Sequence, residues 1–337
     1  MGTNNELIVE ITRGNMVESC HRGHCVVADQ TGRHIHTWGD PTRVIYPRSA
    51  IKPLQAIALI ETGAADSFQI KETEIALATA SHSGTTVHVK MITKWLNRIG
   101  LSDSSLECAG HNPMSRKADI DLIRAKINPW AIHNNCSGKH AGFITTALYM
   151  NEKIKGYSTS NHPVQRRLLN ILSTMGSVNL SSAPRGMDGC GIPVIGMPLE
   201  ALAVALARMA DPKNLDANRA EATKRVISAM ISHPNLVAGP GRFDTLTMDQ
   251  GSGNFVIKTG AEGVYACILP SLGLGVALKI EDGAKRAAEI SMAAILNYLN
   301  VLKDLPESPI FNPAKEKVGV IRMQANWADC KKHQKSK

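Results

Sequence analysis

The sequence predicts an α+β fold, with one antiparallel sheet built from both ends of the chain and a helical lobe inserted between them. Three observations carry that prediction. Runs rich in Val, Ile and other β formers gather at the two ends, over about residues 6–46 and 253–302. Between about 49 and 235 the apolar residues recur at helical spacing instead. A chain of 337 residues, 43% hydrophobic and 20% charged, has enough apolar surface to bury a full core. Strands at both termini with helices between them fit an α+β architecture. One domain over residues 1–325 is expected, followed by a basic, disordered tail over 326–337.

The elements follow in order. "ELIVEIT" (6–12) and "CVVAD" (25–29) read as strands, and "QTGR" turns the second into "HIHTW" (34–38). His21 and His24, beside Cys20 and Cys25, read as flanks of a turn, since nothing else joins them as a metal site. Val87 to Ile99 is helical and stops at Gly100, which suits a C′ position. Val164 to Met175, Leu199 to Met209 and Ala220 to Ile231 continue the helical lobe. "NFVIK", "GVYACIL" and "LGVALKI" then form three strands separated by glycine turns. Asp282 to Leu302 is a final helix, and "KDLPESPIFNPA" (303–314) is Pro-rich and extended.

Composition narrows the function. Aromatic residues make up 4% of the chain, too few for a stacking platform for single-stranded nucleic acid. The net charge of +9 raises a basic nucleic-acid-binding protein as a rival reading, which predicts strongly salt-dependent binding. The basic residues are scattered, however, and the only dense run is the tail Lys331–Lys337, so no nucleic-acid partner is expected. No segment is apolar for long enough to span a membrane, and the N-terminus lacks a secretory pattern. Seven irregularly spaced cysteines fit a reduced, cytoplasmic protein whose cysteines are thiols or metal ligands.

Five motifs can carry chemistry. "PRSAIKPLQ" (47–55) places Lys52 one turn after Ser49 at a helix start, where the macrodipole disfavours a cation. Serine needs a base to become a nucleophile. Lysine serves as one only when neutral, which burial or a second cation achieves. "ASHSG" adds Ser81 in a small-residue loop, and "IKTGAEG" adds Lys258-Thr259-Gly260 after a strand. Taken singly, Lys258 is better explained as a solvated strand-end lysine and Ser81 as a helix cap; taken together they favour a site. Their order 49, 81, 258 is that of the S-x-x-K, loop-serine and K-T-G elements of penicillin-binding proteins and class A β-lactamases. The middle element here is Ser-His-Ser, so the match is partial. Lys258 near Lys52 would supply the second cation.

"HNNCSGKHAG" (133–142) and "MDGCGIP" (187–193) place Cys136 and Cys190 among glycines and small polar residues. Two such thiols with Lys139 and His140 nearby suggest a zinc site with an open position, against buried free thiols or a redox pair. Arg48 and Asp188 are suited to grip the carboxylate and ammonium of an amino acid, or else make a surface ion pair and a turn. Arg242 and Asp244, after the sharp Gly239-Pro240-Gly241 loop, are candidates to support the site. Backbone N–H groups near Ser49 or Gly84 are candidate oxyanion donors.

Read together, "YPRSAIKPLQ", "ATASHSG", "HNNCSGKHAG", "MDGCGIP", "VAGPGRFDT" and "KTGAEG" resemble the asparaginase II family of Rhizobium etli type, the class 3 L-asparaginases. The resemblance runs from about residue 6 to about residue 325. It implies a fold similar to serine β-lactamases and glutaminases, and hydrolysis of L-asparagine to L-aspartate and ammonia. It implies catalytic pairs Ser49 with Lys52 and Ser81 with Lys258, and a Zn2+ held by Cys136, Lys139 and Cys190. Spacing rules would have chosen His140 over the lysine. The resemblance also puts Arg48, His140 and Asp188 in the substrate pocket and makes the protein a homodimer. A β-lactam-interacting serine hydrolase and a glutaminase of the same fold are the nearest alternatives.

Overall fold

The structure is a computed structural model that describes residues 6–303 and 307–328. The chain divides into two compact units: Met1–Ala50, Met197–Asp211 and Ile257–Lys337 form the first, and Ile51–Gly196 with Pro212–Val256 the second. Among the described residues no helix is long and apolar enough to cross a membrane.

The first unit is built on an antiparallel sheet. Its strands run in the order Ser308–Phe311, Lys317–Met323, Leu7–Arg13, Met16–Asp29, Leu274–Ile280 and Val264–Leu269, and Val256–Thr259 ends it at the boundary between the units. His34–Trp38 pairs with Met16–Asp29 off this path. Strands from the first and last parts of the chain are thus adjacent in the sheet, as Val9 opposite Met323 illustrates.

Four features differ from the sequence reading. His21 and His24 lie inside the long strand Met16–Asp29, and their rings reach Asp282 and Glu281. Polar residues had masked the strand's first half, because those side chains have ionic partners across the sheet. Lys317–Met323 and Ser308–Phe311 extend the sheet past residue 302. Ser308–Phe311 pairs on one side only and carries a proline, so it lacks a buried strand's apolar pattern. The helix Leu199–Ala210 belongs to the sheet unit and not to the lobe. It is apolar almost all round, and ten of its residues are buried. Finally, Trp327 packs against Trp38 and Tyr298 and its carbonyl accepts the Trp38 indole N–H at 2.9 Å. The expected tail from 329 onward lies outside the described residues.

The second unit is helical. Lys52–Glu61, Glu72–Ala78, Thr86–Arg98, Ser137–Tyr149, Pro163–Gly176 and Ala217–Ser232 are its main helices. Arg219 grips Glu61 through two nitrogens, at 2.8 and 3.0 Å, which ties the last of these to the first. A short hairpin, Arg185–Met187 with Pro193–Ile195, completes the unit.

Gly275 sits where the helix Leu199–Ala210 comes closest to the sheet: a side-chain carbon there would collide with Ala203 O and Ala207 N. Gly275→Val is therefore expected to lower the unfolding free energy by about 1–3 kcal/mol or more, measured by chemical denaturation.

Candidate active site

The helix Lys52–Glu61 opens with Lys52, and Pro53 follows where no helical N–H is needed. Lys52 is 0% exposed. Its Nζ donates to the Ala80 carbonyl and lies 2.9 Å from the Ser81 hydroxyl. Burial pushes the Lys52 amine below its ordinary range, and the charge of Lys139 adds to that against the pull of Cys136. The positive end of the helix acts in the same direction. A lysine pushed toward neutrality beside a serine hydroxyl is a base within reach of a nucleophile.

Ser81 is held by its own loop. Its N–H donates to Val237 O at 2.9 Å, and the neighbouring His82 N–H donates to Asn135 O at 3.1 Å. Gly84 N–H donates to His82 Nδ1 at 3.1 Å, so the His82 proton sits on Nε2, which gives it to Ser137 Oγ at 2.8 Å. Ser137 in turn donates to Ile132 O. The amides of Ser81, His82 and Gly84 are all committed, which removes Gly84 as an oxyanion donor. Arg242 Nη1 reaches Ser81 O at 3.5 Å, the supporting contact expected of that loop.

Cys136 caps the helix Ser137–Tyr149, whose N-terminus favours a thiolate. The helix seats closely because Gly138 lies against the Leu77 carbonyl, where a side chain would collide. Cys190 sits in the turn of the short hairpin, closed by Asp188 N–H to Ile192 O and Gly191 N–H to Asp188 O. The two sulfurs are hydrogen-bonded to each other, and Lys139 Nζ lies 3.0 Å from Cys190 Sγ. The bond from Cys190 holds the Cys136 thiol well below its usual range, helped by Lys139 and Lys52 against burial. That bond and burial push the Cys190 thiol up. Burial works against the Lys139 charge, but the two sulfurs outweigh it and raise the amine. Lys52 also faces the Cys136 sulfur, so the serine–lysine pair and the Cys–Lys–Cys group are one cluster.

Among the described residues no three His, Cys, Asp or Glu gather around a possible metal. The third donor in this cluster is a lysine. Two sulfurs and one amine, all buried, fit a zinc ion with its fourth position open, provided Lys139 gives up its proton on binding. The six described cysteines, Cys20, Cys25, Cys108, Cys136, Cys190 and Cys267, form no disulfide among the described residues. Burial pushes Cys108 up to about 12, so it is inert beside Cys136.

In the first unit, Arg48 has a positive φ of 53°, a strained conformation for a residue directly before Ser49. Lys258 is buried on the strand Val256–Thr259 and donates to Thr259 O at 2.9 Å. Gly260 packs on the Ser49 turn: a side-chain carbon there would come 2.7 Å from Pro47 O and 3.3 Å from Ala50 Cβ. The K-T-G segment and the turn that carries Ser49 are therefore neighbours within that unit.

The profile of the L-asparaginase II family matches residues 9–323. The chain belongs to the L-asparaginase II family. No curated protein matches it. Among solved structures it is similar to Mglu in its native form, 14% identical over 83% of this chain and 64% of that one, with a TM-score of 0.47. It thus spans less than two thirds of that chain. It is also similar to a β-lactamase from Mycobacterium bovis, 14% identical over 82% of this chain and 93% of that one, with a TM-score of 0.41.

In this L-asparaginase II family member the second unit brings together Lys52, Ser81, Cys136, Lys139 and Cys190. The cation that acts on Lys52 inside that unit is Lys139. His140 adjoins the cluster on the same helix, and Asp188 sits at the mouth of the Cys190 turn. Tyr157 and Glu107, which no sequence motif marked, bond to His140 and to each other's segment. They lie far from His140 in the chain and in no recognisable pattern.

His82 and His88 stack at 5.0 Å, and burial keeps both below the ordinary imidazole range. The unfolded chain takes up protons as pH falls through about 6.5, whereas the folded pocket resists them. The stability is therefore fully present above that pH and is lost below it. The melting temperature should fall between about pH 6.5 and pH 5, and His88→Gln should flatten that decline.

Proposed function

We propose that this chain hydrolyses L-asparagine to L-aspartate and ammonia through a serine nucleophile with Lys52 as the base. The observation that carries the reading is the wholly buried Lys52 at 2.9 Å from Ser81 Oγ. Membership of the L-asparaginase II family supports an amidohydrolase, and the asparagine preference is our own inference from it.

The Lys52 lone pair takes the hydroxyl proton, and the serine oxygen bonds to the side-chain amide carbon. Collapse of the tetrahedral species breaks the C–N bond, and Lys52 returns the proton so that ammonia leaves. Water, deprotonated by the same amine, then cleaves the acyl ester and regenerates the serine. Ser81 takes the nucleophile's part on contact. Ser49, three residues before Lys52, is the alternative, with the other serine and Lys258 relaying the proton. Arg48 is assigned to the substrate carboxylate, Asp188 to its ammonium and His140 to one of its oxygens. Cys136, Lys139 and Cys190 would hold zinc, which when bound supplies a Lewis-acidic anchor for the substrate. The protein is read as a cytoplasmic homodimer.

Ammonia release from L-asparagine and L-glutamine, with nitrocefin turnover as a third arm, tests the reading. Asparagine turnover should be lowered about 10²–10⁴-fold in Lys52→Met, which keeps the buried volume. Comparing Ser81→Ala with Ser49→Ala names the nucleophile as the variant that abolishes the acyl burst. Turnover of nitrocefin but neither amide would overturn the proposal. Removing metal with a chelator should raise KM for asparagine while kcat is largely kept, and added zinc should restore it.

A further inference from the structure

His140 is completely buried and its Nε2 has no hydrogen-bond partner among the described residues. Its Nδ1 lies 2.7 Å from the Tyr157 hydroxyl. The Glu107 backbone N–H donates to that same hydroxyl oxygen at 2.8 Å. An N–H can only donate, so the phenol oxygen is an acceptor there and still has its own proton to place. His140 Nδ1 is the acceptor in reach. Were Nδ1 protonated, two donors would converge on the oxygen and the phenol proton would be buried without a partner. The proton of the neutral imidazole therefore sits on Nε2.

Tyr157 is itself clamped. The Glu107 carboxylate accepts from the N–H groups of Gly156 and Ser158 and from Ser158 Oγ. Gln165 Nε2 donates to the Tyr157 carbonyl at 2.9 Å. The ring edge of Tyr157 meets the His140 ring at 73°, with centroids 5.5 Å apart. Nothing in this shell accepts from Nε2, although a buried donor left empty is costly.

We infer that Tyr157 is a positioning residue that holds His140 in its Nε2–H tautomer, so that this unpartnered donor is presented to a carboxylate or amide oxygen of the bound substrate. The inference rests on the amidohydrolase reading for the identity of that substrate, and on geometry alone for the tautomer.

The test is a long-range proton–nitrogen NMR spectrum of the full, zinc-supplied chain labelled with 15N-histidine, the His140 signals being those missing from His140→Gln. The expected spectrum shows a pyridine-like Nδ1 and a pyrrole-like Nε2. In Tyr157→Phe that pattern should be lost. KM for L-asparagine should rise about tenfold, the loss of one hydrogen bond, while kcat changes little. In the His140→Gln background, Tyr157→Phe should add no further rise. A wild-type spectrum with the proton on Nδ1 overturns the inference. So does a Tyr157→Phe effect on KM that persists in full without His140, since that marks a merely structural role. The wild-type spectrum does not depend on Tyr157→Phe, so a Tyr157→Phe chain that fails to fold leaves it decisive. An absence of any amide turnover, with the Nε2–H pattern present, sinks the amidohydrolase reading and leaves the tautomer standing.

Discussion

The second unit depends on taking an amine out of water. A charged Lys52 in that position would cost several kcal/mol unless paired. The cost falls when the group gives up its proton, and the resulting neutral amine is a base. Lys139 shows the same residue type, equally buried, driven the other way. It lies against Cys190, with the Cys136 thiolate adjacent, and those sulfurs hold its charge. Burial lowers the Lys52 amine while the two sulfurs raise that of Lys139, so two equally buried lysines are driven in opposite directions. The Lys139 charge in turn adds to the lowering of the Lys52 amine.

Committed backbone keeps that arrangement in place. The loop carrying Ser81 is bonded to Val237 O and Asn135 O, and His82 is locked between Gly84 N–H and Ser137 Oγ. Such a loop has little freedom to move its hydroxyl away from Lys52. The same bonding removes the Ser81, His82 and Gly84 amides as oxyanion donors. In the sheet unit the equivalent constraint is steric: Gly260 lets the K-T-G segment lie against the turn around Ser49.

Much of this was legible in the residues. "HIHTW" is a strand at the bounds expected, and "VHVKMITKWLNRI" forms a helix that stops before Gly100. Apolar periodicity reports local burial well when one side of an element faces solvent. It failed for Met16 to His24, whose polar side chains are balanced across the sheet, and for the two strands past residue 302, which bury little. It also assigned Leu199–Ala210 to the wrong neighbours, because an all-round apolar helix says that it is buried but not against what.

By itself the sequence determined the α+β order, the family, and the set of serines, lysines and cysteines that could act, because these follow from local pattern and motif. Only the tertiary structure decided which of them meet. Ser81 lies 29 residues from Lys52 in the chain, and Cys190 lies 51 from Lys139. Their protonation states follow from burial and from those distant partners. The proton on His140 depends on Tyr157, and through it on a backbone N–H 50 residues further back. No local pattern records such a chain of donors and acceptors, since it exists only once the segments are packed.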